Sequence, residues 1–254
     1  MQTAKSIRRE ERLIFALDVP TVAQARSLVE RLDDSVRVYK IGLELLTSGE
    51  YFDLLDWLRA RGHQVFCDLK LFDVPATVGA AVAGIARRGA TFLTVHALDT
   101  KTLRAAVAGA AGTGLRILGV TVLTNLDGGD LAEQGIAEAP GDVVVRRARL
   151  ASAAGCAGIV ASGLEAAPVR RALGPDATIV TPGIRAPGGA AGDQTRVVTP
   201  HAAIGAGADY LVVGRPITQA GDRAKAAADF VRAIEQALAA RQVADAAGPT
   251  RLPP

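Results

Sequence analysis

The sequence predicts a single domain of the α/β class, folded as a (β/α)₈ TIM barrel. Eight short apolar runs alternate with stretches of helical periodicity along a chain of 254 residues. Hydrophobic residues make up 49% of the chain and aromatic residues only 4%, which favours buried parallel strands covered by alanine-rich helices. Eight βα units in about 240 residues match the size of such a barrel. A doubly wound sheet is the alternative fold, although it usually has fewer strands at this length.

The predicted strands are short apolar runs, as expected for strands buried on both faces. They cover residues 13–17, 36–41, 65–69, 91–95, 116–123, 158–161, 177–181 and 210–213. Helical periodicity covers about residues 21–32, 47–61, 76–88, 100–111, 142–154, 164–173, 200–206 and 222–239, with a short helix at 131–134 in a polar loop. Four of these helices end at a glycine, a common stop signal: Gly62, Gly89, Gly112 and Gly155.

The barrel domain is expected to span residues 13–239. Residues 1–12 are charged and form an N-terminal extension without the apolar core of a secretory signal. Residues 240–254 are rich in Ala, Pro and Gly and are expected to form a flexible tail. The chain contains no run of about 18 apolar residues, so no membrane association is expected.

Charge and cysteine content narrow the classes of function. The net charge is +3 and the basic residues are scattered, so no nucleic-acid-binding surface is predicted, whereas anionic small molecules remain open as ligands. Cys67 and Cys156 are far apart and match neither a disulfide framework nor a metal-binding spacing. We therefore expect a soluble, cytoplasmic protein.

The stretch 65–77 carries three charges where its strand ends. In a regular strand Asp68 and Lys70 point to the same side, and Asp73 follows in the turn before Pro75 opens a helix. Two carboxylates close to one ammonium are costly to bury, so the D-x-K-x-x-D spacing indicates an active site. A surface ion-pair network would give the same spacing, and the motif alone leaves both interpretations open.

Polar residues also follow the other predicted strands. The carboxyl ends of all barrel strands converge on one mouth, and charges at five of the eight ends favour an active site there. These strand-end residues are Asp18, Lys40, Asp68, Lys70, Asp73, His96, Thr124, Ser162, Arg185, Gly214 and Arg215. Of these, we assign His96 a mostly structural role.

The last two strand ends are candidates for a phosphate site. Gly214 lets the backbone approach a ligand closely, and Arg215 adds a charge-assisted donor. Phosphate sites after strands 7 and 8 recur in this fold, although an ordinary glycine turn with a surface arginine would look the same. The preceding loop, 184–195, is either a solvent loop or a mobile lid that brings Arg185 and Gln194 onto the phosphate.

Six blocks of sequence together resemble the orotidine 5′-phosphate decarboxylase family, from about residue 13 to residue 238. Any one block is weak, but six in the right order are highly specific. They are Ala-Leu-Asp-Val-Pro at 16–20, Lys40, Asp-Leu-Lys-Leu-Phe-Asp-Val-Pro-Ala-Thr at 68–77, Val-Leu-Thr at 122–124, Pro-Gly-Ile-Arg at 182–185 with Gly-Asp-Gln at 192–194, and Val-Gly-Arg-Pro-Ile at 213–217.

The resemblance implies a homodimeric barrel that converts orotidine 5′-monophosphate to UMP, the final step of de novo pyrimidine nucleotide biosynthesis, without a metal or an organic cofactor. It implies that Lys70 donates a proton to C6 and that Asp68 lies beside the substrate carboxylate. It also implies that Asp73 and Thr77 enter the neighbouring subunit's site. The other implied contacts are Asp18 and Lys40 with the ribose hydroxyls and the charged network, Thr124 with the pyrimidine, and Arg185, Gln194, Gly214 and Arg215 with the phosphate.

The expected chemistry suits these residue types. Loss of CO₂ from C6 leaves carbanion character with no conjugated sink, so an ammonium aimed at that carbon stabilises the charge and then protonates it. Two departures from the family pattern concern fine geometry: Asn125 stands where Ser is more often expected, and Ala76 stands where Asn is expected.

Three rival functions are weighed against this one. Sugar-phosphate decarboxylases and aldolases of the same barrel group share D-x-K-x-x-D but bind Mg²⁺ with a Glu where this chain has Lys40, and a cation there argues against a metal. A ribulose-phosphate epimerase would place histidines at several strand ends, whereas this chain has three histidines in all. A non-catalytic nucleotide-phosphate binder would not need Lys70 between two carboxylates.

Overall fold

The strands close into one barrel in the computed structural model, which describes residues 7–32, 35–186 and 198–247. The strands are β1 (Leu13–Ala16), β2 (Val38–Gly42), β3 (Gln64–Leu71), β4 (Phe92–His96), β5 (Arg116–Val120), β6 (Gly158–Val160), β7 (Thr178–Thr181) and β8 (Tyr210–Val213). The helices are α1 (Val22–Leu32), α2 (Leu43–Leu46), α3 (Tyr51–Ala60), α4 (Pro75–Arg87), α5 (Thr100–Gly109), α6 (Gly128–Glu133), α7 (Pro140–Ala153), α8 (Ala166–Leu173), α9 (Pro200–Gly205), α10 (Arg215–Thr218) and α11 (Arg223–Ala247).

Each strand pairs in parallel with the next one in the sequence, and β8 returns to β1. Ile14 of β1 therefore lies opposite Val38 of β2 on one side and Val212 of β8 on the other. The predicted (β/α)₈ barrel is confirmed. Because all strands run in the same direction, every carboxyl end opens at the same mouth.

Alternate residues of the strands belong to two separate hydrophobic cores. One set points outward and packs under the helices, while the other fills the barrel interior. At the amino end of the barrel the rings of Phe66, Phe92 and Tyr210 pack edge to face, with centroids 5.9 and 5.2 Å apart. The Arg116 guanidinium lies 4.0 Å from the centre of the Phe92 ring. The amino end is thus filled with side chains.

Local sequence signals explain how several helices begin. Pro75, Pro140 and Pro200 each occupy the first turn, where a missing N–H costs nothing. The Asp99 carboxylate caps α5 by accepting a hydrogen bond from the Thr102 N–H at 2.8 Å. These starts fix where each helix leaves the barrel mouth.

Several elements differ from their predicted bounds, among them β5, which ends at Val120 and not at residue 123, and the three that follow. The helix expected at 47–61 is two helices, α2 and α3, because Gly49 between them adopts a φ of +88°. Strand β3 runs two residues further than expected, to Leu71. Helix α11 continues through residues 240–247, which were expected to be flexible, because Ala, Arg and Gln are strong helix formers. Within the described residues, no helix is both long enough and apolar enough to cross a membrane.

Candidate active site

Strand β3 loses its regular geometry where its charged residues begin. Its register against β4 shifts between Cys67 and Leu71, so residues 68–70 lie opposite Thr94 alone. Lys70 adopts a φ of +48°, a positive value that residues other than glycine rarely adopt. Such a bulge re-aims side chains at a sheet edge. The strand is therefore not regular at Lys70, but the prediction that Asp68 and Lys70 point to the same side is confirmed, because both line the cavity at the barrel mouth and their charged atoms lie 2.7 Å apart.

Four side chains form a row of alternating charge across the ends of three strands. Lys70 Nζ lies 2.7 Å from Asp68 Oδ2, and Lys40 Nζ lies 3.6 Å from the same oxygen. Lys40 Nζ also donates to Asp18 Oδ1 at 2.9 Å. Asp18 follows β1, Lys40 belongs to β2, and Asp68 and Lys70 belong to β3. The barrel thus brings together residues that are up to 52 positions apart.

The two inner members of this row, Lys40 and Asp68, depend on each other electrostatically. Burial alone would lower the pKa of Lys40, but the carboxylates of Asp68 and Asp18 outweigh it and raise that pKa. Burial alone would raise the pKa of Asp68, but the ammonium groups of Lys40 and Lys70 outweigh it and lower that pKa. Both groups are therefore charged at neutral pH despite their burial.

Asp73 and Thr77 point away from this row within the single chain. Asp73 is exposed, and its Oδ1 accepts a hydrogen bond from the Val74 N–H at 2.6 Å. Thr77 is exposed on α4. Of the two carboxylates in the D-x-K-x-x-D motif, only Asp68 forms an ion pair with Lys70 within the described residues of one chain, and the expectation that Asp73 enters the neighbouring subunit's site stays a prediction.

A cavity of about 480 Å³ opens at the barrel mouth above the charged row. Both apolar and polar side chains line it. The lining residues are Ala16, Asp18, Lys40, Phe66, Asp68, Lys70, Val120, Val122, Leu123, Thr124, Asn125, Val160, Pro182, Gly183, Arg185, Val212, Gly214, Arg215, Thr218 and Gln219.

The side of the cavity opposite Lys70 gathers two arginines and a glycine. Gly214 precedes the first residue of α10, Arg215, and a Cβ atom at Gly214 would lie 3.4 Å from Ala16 Cβ. The Arg185 guanidinium donates to the Ile184 carbonyl at 2.9 Å, at the start of the loop that follows β7. The cavity therefore has an anion-attracting rim. Gln194, which was predicted to reach the same rim, lies outside the described residues.

The sequence of the chain matches the model of one protein family. Residues 11–230 match the model of the Orotidine 5′-phosphate decarboxylase / HUMPS family. The chain belongs to this family. The predicted resemblance to orotidine 5′-phosphate decarboxylases, and the prediction that the chain is such an enzyme, are confirmed by its relatives.

Relatives of the orotidine 5′-phosphate decarboxylase family align with nearly the whole chain. The orotidine 5′-phosphate decarboxylase of Afipia carboxidovorans is 54% identical over 224 residues, which cover 88% of this chain and 94% of the relative. That of Stenotrophomonas maltophilia is 50% identical over 236 residues, which cover 92% and 97%. The crystal structure of the orotidine 5′-phosphate decarboxylase from Lactobacillus acidophilus superposes with a TM-score of 0.77 at 33% identity, covering 88% of this chain and 99% of that one.

Most residues predicted for the family's site line the cavity, and some lining residues were not predicted. The predicted residues in the lining are Asp18, Lys40, Asp68, Lys70, Thr124, Arg185, Gly214 and Arg215. Thr218 and Gln219 were missed because both are uncharged and lie in and just after the short helix that follows the predicted Gly214 and Arg215. His96 is half-buried, and its ring packs edge to face against Phe72, with centroids 6.3 Å apart. Burial, followed by the nearby charges of Lys70 and Arg147, lowers the pKa of His96.

Proposed function

We propose that the chain decarboxylates orotidine 5′-monophosphate to UMP, the final step of de novo pyrimidine nucleotide biosynthesis, with Lys70 as the proton donor and without a cofactor. The observation that carries the proposal is that the charged row of Asp18, Lys40, Asp68 and Lys70 lines the same cavity as Arg185 and Arg215. The names of the relatives support the substrate.

The charged row suits the bond changes of this reaction. When the C6–carboxylate bond breaks, its electron pair stays on C6 and CO₂ leaves. The Lys70 ammonium, 2.7 Å from Asp68, stabilises that pair and then transfers a proton to C6. Asp68, ionised beside the substrate carboxylate, holds the ammonium in place. The neutral Lys70 amine regains its proton from solvent before the next turnover.

The remaining residues are proposed to bind the parts of the substrate that do not react. Asp18 and Lys40 contact the ribose hydroxyls and Thr124 the pyrimidine. Arg185, Gln194, Gly214 and Arg215 bind the phosphate. Since the phosphate is remote from C6, its binding energy is available to lower the chemical barrier once the substrate is enclosed.

We also propose a homodimer in which Asp73 and Thr77 complete the partner's site. Asp73 is exposed between two exposed apolar side chains, Phe72 (59%) and Val74 (61%), which is unusual for a solvent-facing turn. A second copy placed over this turn would bury those side chains. It would also bring a second carboxylate towards each Lys70.

The first test is turnover of orotidine 5′-monophosphate by the purified protein, followed by ultraviolet absorbance with and without EDTA. Turnover that EDTA does not reduce would support the proposal against a Mg²⁺-dependent sugar-phosphate enzyme. A folded protein with no turnover would contradict it, and sugar phosphates with added Mg²⁺ would be tested next.

The shared site is tested by mixing two inactive variants, Lys70→Ala and Asp73→Asn. A mixed dimer has one site with both wild-type groups, and random mixing makes half of all dimers mixed, so about one quarter of wild-type activity should return. No recovery in verified mixed dimers would contradict sharing of Asp73.

A further inference from the structure

We propose that Thr94 is a positioning residue, whose hydroxyl group holds the Asp68 carboxylate and the Lys70 backbone in the arrangement that aims Lys70 at the substrate. The inference rests on the proposed function because it concerns the same reaction. Thr94 does not line the cavity, and its influence on substrate passes through its two neighbours on β3.

The hydroxyl of Thr94 bridges two groups of the bulged strand. The side chain is fully buried in β4, and its Oγ accepts a hydrogen bond from the Lys70 N–H at 2.9 Å. The same hydroxyl donates to Asp68 Oδ1 at 2.9 Å. The direction of both bonds is fixed, since a backbone N–H can only donate and an ionised carboxylate can only accept.

This bridge determines which carboxylate oxygen faces the lysines. With Oδ1 of Asp68 held by Thr94, Oδ2 is the oxygen that lies 2.7 Å from Lys70 Nζ and 3.6 Å from Lys40 Nζ. A carboxylate free to rotate about its Cβ–Cγ bond would not keep one oxygen between two ammonium groups. The Thr94 hydroxyl therefore fixes the rotation of Asp68.

The same bridge supports the unusual backbone of Lys70. Because the register shifts between Cys67 and Leu71, the Lys70 N–H donates to a side chain on β4 where a regular ladder would supply a carbonyl. Its φ of +48° is sparsely populated and persists only where the surroundings enforce it. The Thr94 hydroxyl supplies one such restraint, and the direction of the Lys70 side chain follows from it.

A second buried threonine shows that barrel strands of this chain tolerate a hydroxyl without such a role. Thr181 at the end of β7 is as buried as Thr94, and within the described residues its Oγ has no hydrogen-bond partner. Val has nearly the shape of Thr, so Thr94→Val and Thr181→Val remove one hydroxyl each from equally buried positions. Thr181→Val is therefore the matched control.

The test compares Thr94→Val, Thr94→Ser and Thr181→Val with the wild type, using turnover of orotidine 5′-monophosphate, calorimetric affinity for UMP and thermal stability. Thr94→Val should lower kcat by about 10- to 100-fold, because an acceptor and a donor beside the reacting groups lose their partner. UMP lacks the carboxylate that leaves, so its affinity should change by less than about 3-fold. Thr94→Ser keeps the hydroxyl and should stay within about 3-fold of the wild-type kcat, as should Thr181→Val.

A pH profile separates positioning from packing. The Thr94 hydrogen bond stabilises the ionised form of Asp68, so Thr94→Val should move the acid side of the kcat/KM profile to higher pH, and Thr94→Ser should not. The other groups that face Asp68 are unchanged in these variants, so the shift would belong to the lost hydroxyl. They are Lys70 on β3, Lys40 on β2 with Asp18 behind it, His96 on β4, and Cys67 with Tyr51 on the outer side.

Two results would overturn the inference. One is a Thr94→Val variant with wild-type kcat and an unmoved acid limb. The other is a Thr94→Ser variant that loses as much activity as Thr94→Val, which would mean that packing matters and the hydroxyl does not. If Thr94→Val does not fold, Thr94→Ala takes its place because it also lacks the hydroxyl, and wild-type kcat in that variant would overturn the inference. The wild type in the same assay tests the proposed function separately, because absence of turnover there contradicts the reaction itself.

Discussion

Asp209 and Asp68 are both buried aspartates paired with basic side chains, but they lie at opposite ends of the barrel. Asp209, just before β8, accepts at Oδ2 from Arg170 Nη2 at 2.7 Å and from the Ile179 N–H at 2.8 Å. The Arg170 guanidinium also donates to the backbone carbonyls of Gly174, Pro175, Ala177 and Gly207. The Arg170 guanidinium therefore donates its hydrogen bonds to other groups of the protein.

The ion pairs of Asp68 are instead accessible from the cavity. Its two lysine partners line the open cavity, and the Lys70 side chain keeps 30% of its surface exposed. A planar guanidinium satisfied by carbonyls ties strands and loops together, whereas a compact ammonium on a flexible stem can approach a bound ligand. The difference is consistent with a structural role for the pair at the amino end and with the proposed catalytic role for the pair at the carboxyl end.

The largest effect is expected for Lys70→Ala, which tests whether the charged pair at the carboxyl end of the barrel is needed for turnover. Turnover should fall by at least about 10³-fold because the proposed proton donor is lost. The protein should still fold, since Asp68 keeps Lys40 as a counter-charge, and UMP should bind within about 10-fold of the wild type.

The control for Lys70→Ala is Lys225→Ala. Lys225 also pairs with a carboxylate, Asp229 at 2.8 Å, but it lies on the outer helix α11 and should leave turnover unchanged. Full activity in Lys70→Ala would show that the lysine at the barrel mouth is as structural as the arginine at the other end.

The second prediction concerns Arg170→Ala, which should affect stability and leave the chemistry intact. The variant removes the guanidinium that lies 2.7 Å from the buried Asp209 carboxylate, and breaking a buried ion pair in this way should lower the free energy of unfolding by about 3–5 kcal/mol. Urea unfolding measures the loss, and kcat per folded enzyme should stay within about 2-fold of the wild type.

The surface pair between Arg146 and Glu138 provides the control for Arg170→Ala. Its atoms approach as closely, at 2.7 Å, but both side chains are about half exposed, so Arg146→Ala should leave unfolding little changed. Equal losses in the two arginine variants would mean that burial does not distinguish them.

The sequence predicted the barrel and most of the site because both follow from local patterns. The apolar run 210–213 is β8 residue for residue, and the charges of Asp18, Lys40 and Asp68 lie at strand ends as expected. Parallel strands that close a barrel bring those ends together whatever the loops do. Sequence position alone was therefore enough to place these charges at one mouth.

The parts that the sequence did not predict depend on contacts between distant residues. The φ of Lys70 and the bulge in β3 involve Thr94, 24 positions further along, and a single polar residue inside an apolar strand gives no sign of that contact. The exposure of Asp73 likewise depends on the turn after β3, whose conformation strand periodicity does not describe. In both cases the prediction relied on regular strand geometry, and contacts between distant residues change that geometry.

The smallest expected effect is a change in the pH dependence of stability and of kcat/KM in Lys40→Met. Burial would raise the pKa of Asp68, and Lys40 is the first of the charges that keep it low, so losing that ammonium should raise the pKa of Asp68. A carboxyl group with a lowered folded-state pKa contributes stability above its unfolded value of about 4 and loses it as pH falls through the folded value. In Lys40→Met this loss should begin at higher pH, and the acid side of kcat/KM should move in the same direction.

Thermal unfolding and kcat/KM, each followed from about pH 7 down to about pH 3, measure the two shifts in Lys40→Met. Lys225→Met, which removes an exposed ammonium far from Asp68, should show neither. Lys40 itself does not interfere, because the carboxylates of Asp68 and Asp18 outweigh its burial and raise its pKa, so the wild-type ammonium stays charged throughout this range. An acid limb that stays in place would mean that Lys70 and Thr94 alone keep Asp68 ionised, and the row of alternating charge would then act as two separate pairs.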